Sequence, residues 1–174
     1  MLACRAVKSL LLLASLAAAL CLLAPAAASA SDQSVYDAYV SRDKDFAVLG
    51  GDLGRGLRRW ERSGHKRQHW ALKALQRGHQ LIAELAAAVD AEEPSSSKGK
   101  RGKDFALATL RYMDRSFTFL ARGVRARTAG HRAVAKRAMA KWRRFDAAAA
   151  KAEKRARKWF KAAGVHIKRD PASP

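Results

Sequence analysis

Few residues in this chain have spacings that could assemble a reactive site. His65 and His69 lie four apart, with Glu61 four residues earlier. On a helix that spacing stacks side chains on one face, an arrangement that can hold zinc or copper. Lys66 and Arg67 sit between them, however, and two fixed positive charges oppose a bound cation. The pair therefore reads as solvent-exposed histidines at a helix start, with metal binding as the alternative. His79 and His131 fall on apolar seams, where a histidine is ordinarily a satisfied core or boundary residue; His79 is also placed to approach a ligand inside a bundle. Ser116 and Thr118 have no evident base, and Asp43, Asp52, Glu84 and Asp114 are scattered singly. The chain has no Glu-x-x-His pair of a di-iron bundle, no H-E-x-x-H and no G-x-S-x-G elbow. The expectation is a non-enzymatic protein with no cofactor and no metal.

Charge is the stronger signal. The formal net charge is +20, and it is uneven. Residues 130–174 hold 14 Lys and Arg against three acids. At 100° per residue, Arg132, Lys136, Arg137, Lys141, Arg143, Arg144, Lys151, Lys154, Arg155, Arg157, Lys158 and Lys161 cover an arc of about 200° opposite an apolar seam. All of these except Arg157 form the candidate polyanion-binding set. A plain solvated face is the competing reading, but such faces normally mix both signs. The imbalance points to an anionic polymer or an anionic membrane or envelope surface. Residues 98–103 add Lys98, Lys100, Arg101 and Lys103 among glycines; they read as a linker rather than a phosphate loop, since no P-loop pattern is present. Trp60, Trp142 and Trp159 lie on seams and read as core. Trp70 lies off its seam near Leu81, and an exposed Trp70–Leu81 pair would be a patch for a protein partner.

The elements that must position these residues follow from apolar periodicity. A first helix over 34–62 carries Tyr39, Phe46, Leu53 and Trp60 at seven-residue intervals, with Ser34 and Asp37 resembling a capping box. Glycines each cost a helix about 1 kcal/mol relative to Ala, so a kink or split is expected near Gly50-Gly51; otherwise the glycines admit a neighbouring backbone. A second helix over 66–91 has the seam Leu72, Leu75, His79, Ile82, Ala86 and Val89. A loop over 92–103 leads to Asp104 as N-cap of a third helix, with Leu107, Leu110, Met113, Phe117, Leu120 and Val124 inward. A fourth helix over 130–163 follows a three-four rhythm through His131, Ala135, Ala138, Trp142, Phe145, Ala149, Ala152, Ala156, Trp159 and Ala163. The fold class is all-α: a single-domain, up-and-down four-helix bundle, with a three-helix arrangement as competitor.

Residues 1–30 read as a cleaved secretory signal peptide. Arg5 and Lys8 precede an apolar run from Leu10 to Leu23, and Ala28-Ser29-Ala30 gives a cleavage site. The bundle domain then spans 31–165, with 166–174 a flexible tail ending in prolines. Both cysteines, Cys4 and Cys21, lie in the signal, so the mature domain relies on its core without disulfides. Without the signal, 33 Lys and Arg face 15 acids, a net +18. No mature segment is apolar enough to span a membrane. The expected location is secreted or periplasmic. The expected role is non-catalytic binding of an anionic polymer or surface. The alternatives are an envelope protein–protein or chaperone-like module, and a metal- or cofactor-binding bundle.

Overall fold

The computed structural model describes residues 31–167. The predicted signal peptide and the tail beyond 167 lie outside the described residues. Residues 31–40 are helical and are termed α1. Four longer helices follow: α2 (Asp43–Arg62), α3 (His69–Ala91), α4 (Ser97–Thr128) and α5 (Arg132–Ala162). With α1 and α2 taken as one bent helix, they form the expected all-α up-and-down four-helix bundle. The contact order around the bundle is α2 to α3 to α4 to α5, with α4–α5 the most extensive interface.

The bend in the first helix falls at residues 41–42, earlier than Gly50-Gly51. The Ser41 hydroxyl donates to the Ala38 carbonyl at 2.7 Å, a local bond that competes with the helix ladder. Asp43 and Asp45 then favour a fresh N-terminus, where carboxylates complement the helix dipole. The Tyr39-Phe46-Leu53-Trp60 stripe keeps its inward phase across the bend: Tyr39 and Trp60 are buried, and Phe46 and Leu53 pack against the core. Gly50 sits in uninterrupted helix with open space where a Cβ would point. Gly56 has the packing role instead. A Cβ there would stand 2.8 Å from the Ala71 amide nitrogen, so Gly56 lets α2 rest directly on the start of α3.

The remaining boundaries differ for comparable reasons. Ser34 is no cap; it lies inside α1 and donates to the Ser31 carbonyl and to Glu92. Ser96, rather than Asp104, caps α4, its hydroxyl accepting from the Gly99 amide at 2.9 Å. Lys98 to Lys103 are therefore the first turns of a helix and not a linker. Gly99 and Gly102 are buried there because Asp32 and the Phe160 ring occupy the space their side chains would need. Asp32 is 1 % exposed. Its carboxylate accepts from the Ser95 amide at 2.9 Å, the Ser96 amide at 3.3 Å and the Ser96 hydroxyl at 2.5 Å.

The main core joins Val35, Tyr36 and Tyr39 of α1 to Ile82, Leu85 and Val89 of α3, to Ala106 and Leu110 of α4, and to Ala156 and Phe160 of α5. Tyr36 meets Phe160 edge to face at 5.4 Å between centroids. The buried seam of α5 runs through Ala135, Ala138, Ala149, Ala152, Ala156 and Phe160. Phe160 thus takes the inward place expected of Trp159, while His131 is exposed ahead of α5. Val165 is buried in the same core. His166 and Ile167, assigned from sequence to the tail, are tied down by the Gln33 side chain and by packing.

Two outcomes follow. Gly50→Ala is expected to raise the unfolding free energy by roughly 1 kcal/mol, whereas Gly56→Ala is expected to lower it, because α2 and α3 would have to part; urea denaturation of the pair reads both signs. Burial pushes the Tyr39 phenol well above its ordinary value of 10.0, a shift opposed by its hydrogen bond with Thr109. Above about pH 10 the unfolded chain releases that proton and the folded chain keeps it, so stability falls as pH rises further, by at most about 1.4 kcal/mol per unit. Below pH 10 both states hold the proton and the contribution vanishes. Tyr39→Phe is expected to flatten this alkaline loss, and equal losses in both proteins would contradict a buried neutral phenol.

Candidate polyanion-binding surface

An alanine seam on α5 leaves a wide outer arc, and the cations fill it. Each of Arg132, Lys136, Arg137, Lys141, Arg143, Arg144, Lys151, Lys154, Arg155, Lys158 and Lys161 is solvent exposed. Among the described residues, none of the eleven forms an ion pair; the pairs formed belong to other side chains. Of the two acids on α5, Glu153 is engaged by Arg157 at 2.9 Å, and Asp146 is exposed and forms no ion pair among the described residues. Arg157 is half-buried and pairs with Glu153 one turn earlier in its own helix. Two members of the set lean on aromatic faces, with Lys141 5.1 Å from the Phe119 ring and Arg155 5.5 Å from that of Phe105. Such contacts orient the side chain while leaving its charge at the surface.

Neighbouring cations three or four residues apart repel by a few tenths of a kcal/mol per pair. Lys151, Lys154, Arg155, Lys158 and Lys161 form an unbroken ladder of such spacings, with no acid partner among the described residues to relieve it. The face therefore carries strain that counter-charges relieve.

A second cationic cluster, which the sequence reading did not single out, lies where α2 turns into α3. Arg55, Arg58, Arg59, Arg62, Lys66, Arg67, Lys73 and Arg77 are all exposed. Asp52 engages Arg55 and Arg77 at 2.5 and 3.7 Å. Trp70 stands among them, 51 % exposed, with the Arg59 guanidinium 5.4 Å over its ring. Leu81 is buried against Leu49 and Ala74, so the Trp70–Leu81 apolar patch does not form. Trp70 is an aromatic island in a cationic cleft. The signal was present in the sequence: between Asp52 and Glu84 the only acid is Glu61.

The two clusters approach one another. In an up-and-down bundle, the α2–α3 and α4–α5 turns share one end. There Arg127, Arg132 and Lys136 line a common concavity with Trp60 and His65. Trp60 fixes that end, donating from Nε1 to the His65 carbonyl and to the Thr128 hydroxyl, both at 3.0 Å.

The histidines take other roles. His65 lies in the turn before α3 with a φ of 69°, its ring edge to face with Trp60. His69 opens α3 and packs on Trp70. They share no helical turn, so the i,i+4 geometry of a metal pair is not formed. Among the described residues there is no group of three or more His, Cys, Asp or Glu that could hold a metal ion. His79 pairs with Asp114 across α3 and α4, Nδ1 to Oδ1 2.6 Å, the satisfied boundary position expected of it. No helix among the described residues is long and apolar enough to cross a membrane. Comparison with known protein families, with curated proteins and with solved structures finds no match.

Proposed function

We propose that this protein is a non-catalytic, exported helical bundle that binds an anionic polymer or envelope surface by charge. The observation that carries the reading is the α5 face: eleven exposed cations on one helix, without an ion pair among the described residues. A face kept only for solubility gains nothing from leaving its cations unpaired, because interspersed acids solubilise equally well and remove the repulsion. Docked phosphates, sulfates or carboxylates would relieve that repulsion and release condensed counterions. Arginine is suited to the task, since its planar fork binds two oxygens at once. The N-terminal leader read in the sequence supports export, with the partner in the periplasm or outside the cell.

A protein–protein or chaperone-like role has less to stand on. Among large hydrophobic side chains in the described residues, only Val48 and Trp70 are strongly exposed, and Trp70 is ringed by cations.

Binding of a fluorescent heparin oligosaccharide, followed by anisotropy from 50 to 300 mM salt, tests the proposal. The logarithm of affinity is expected to fall linearly with that of salt. The triple variant K151E/K154E/K158E, with helicity checked by circular dichroism, is expected to weaken binding at least tenfold and to lower the slope by about one per cation removed. Unchanged affinity in the triple variant would refute a role for α5.

A further inference from the structure

The cleft around Trp70 differs in kind from the α5 face. The α5 face is a convex, one-helix array suited to any polyanion. The cleft is concave and two-lobed, with Arg59 and Trp70 forming the wall between its lobes. One lobe is bounded by Arg62, Lys66 and Arg67, from the end of α2 and the turn. The other lobe, about 360 Å³, is bounded by Arg55, Lys73 and Arg77, with Gly56 and Ala74 forming its floor beside Asp52. That volume falls within the roughly 300–1,000 Å³ of sites that accept ring-sized ligands. No side chain caps the N-terminus of α3, at whose second position Trp70 stands, so the positive end of the helix dipole adds to the cleft's potential.

The geometry points to a single-stranded nucleic acid as the ligand of this cleft, one base stacking at the Trp70–Arg59 wall and its flanking phosphates held in the two lobes. Three observations carry the choice. First, a half-exposed indole in the middle of a cation cluster is costly as surface and contributes nothing to binding a featureless polyanion. It gains a purpose when the ligand carries rings as well as charge. Second, the planar group over the indole is a guanidinium. A flat base can stack on both an indole and a guanidinium, whereas a saturated sugar ring has no comparable use for the guanidinium plane. Third, cations lie on both sides of the ring. This matches a strand in which each base sits between two phosphates, and it does not match a single anionic head group. The cleft is too closely set on Gly56 and Ala71 for large movement: the α2–α3 contact beneath it has no room even for a Cβ at Gly56.

This inference rests on the polyanion reading above, and its test separates the two. The mature chain, Trp70→Ala and Trp70→Phe would be titrated at low salt against a labelled thymidine decamer, inorganic polyphosphate and a heparin hexasaccharide. Trp70 is surface-exposed, so both variants are expected to fold as the parent does, with thermal melts as the control. Trp70→Ala is expected to weaken the decamer about tenfold, within the range of one base–aromatic stack. Polyphosphate should change by less than twofold, and Trp70→Phe should retain most of the decamer affinity. Decamer affinity unchanged in Trp70→Ala, or lost equally with polyphosphate, overturns the stacking site and leaves the α5 proposal standing. A heparin hexasaccharide that depends on Trp70 more than the decamer does overturns it in favour of a glycan site. Absence of binding to all three probes overturns both proposals together.

Discussion

The close approach of α4 and α5 is the constraint on which the rest of the molecule depends. Helices of 32 and 31 residues, each roughly 46–48 Å long, pack over most of their length through small residues. Alanines 135, 138, 149, 152 and 156 line the α5 side. On the α4 side, Gly123 admits the Met139 sulfur and Gly102 admits the Phe160 ring; a Cβ at either would stand 2.7 or 2.8 Å from its neighbour. An alanine seam buries little area per residue, but alanine is the best helix former, so the helix itself tolerates a narrow seam. A narrow seam leaves a wide outer arc. That arc is where the lysines and arginines stand, and the repulsion among them is the consequence of packing one helix so tightly with so few large side chains.

The two ends of the bundle handle anionic charge in opposite ways. At the α4 N-terminus, the anion that the helix dipole and free amides favour is the chain's own Asp32, buried against Ser95, Ser96 and Gly99. The helix start that carries the Lys-Gly-Lys-Arg-Gly-Lys run is therefore already answered from within. At the other end, the α2–α3 and α4–α5 turns bring together Arg62, Lys66, Arg67, Arg127 and Arg132 against the single acid Glu61. Between Asp114 and Asp146 the chain has no acid at all. The molecule is thus polar in charge along its length, a distribution that would orient an approaching polyanion before contact.

Much of this was legible in the sequence. The heptad stripe Tyr39-Phe46-Leu53-Trp60 and the alanine rhythm of α5 declare amphipathic helices, and the same periodicity assigns every one of the eleven cations to the outer face. What escaped the reading has a common cause. The local cost of glycine puts the expected break at Gly50, and the glycines among serines and charges put a loop across Gly99 and Gly102. Gly56 takes the alternative role, admitting a neighbouring backbone, and Gly99 and Gly102 likewise admit partners from other helices; which glycine meets a partner is invisible until the chain folds. The bend at 41–42 coincides with a serine hydroxyl bonded back to Ala38, a weaker sequence signal than a glycine pair. Phe160 displaced Trp159 from the seam because steps of four continue past Ala156 and because Gly102 makes room for the ring. The Trp70 cleft is assembled from two helices and a turn. Its scarcity of acids and the off-seam position of Trp70 could be read in one dimension; the cleft itself could not.

The central claim is that the cationic face holds repulsion that a docked polyanion relieves and that simple salt only screens. The thermal midpoint of the mature protein, measured with inorganic polyphosphate and again with sodium chloride at equal ionic strength, tests this most directly. Ligand linkage predicts that polyphosphate raises the midpoint by several degrees at concentrations where sodium chloride has little effect. Equal midpoints in the two solutions would contradict the account.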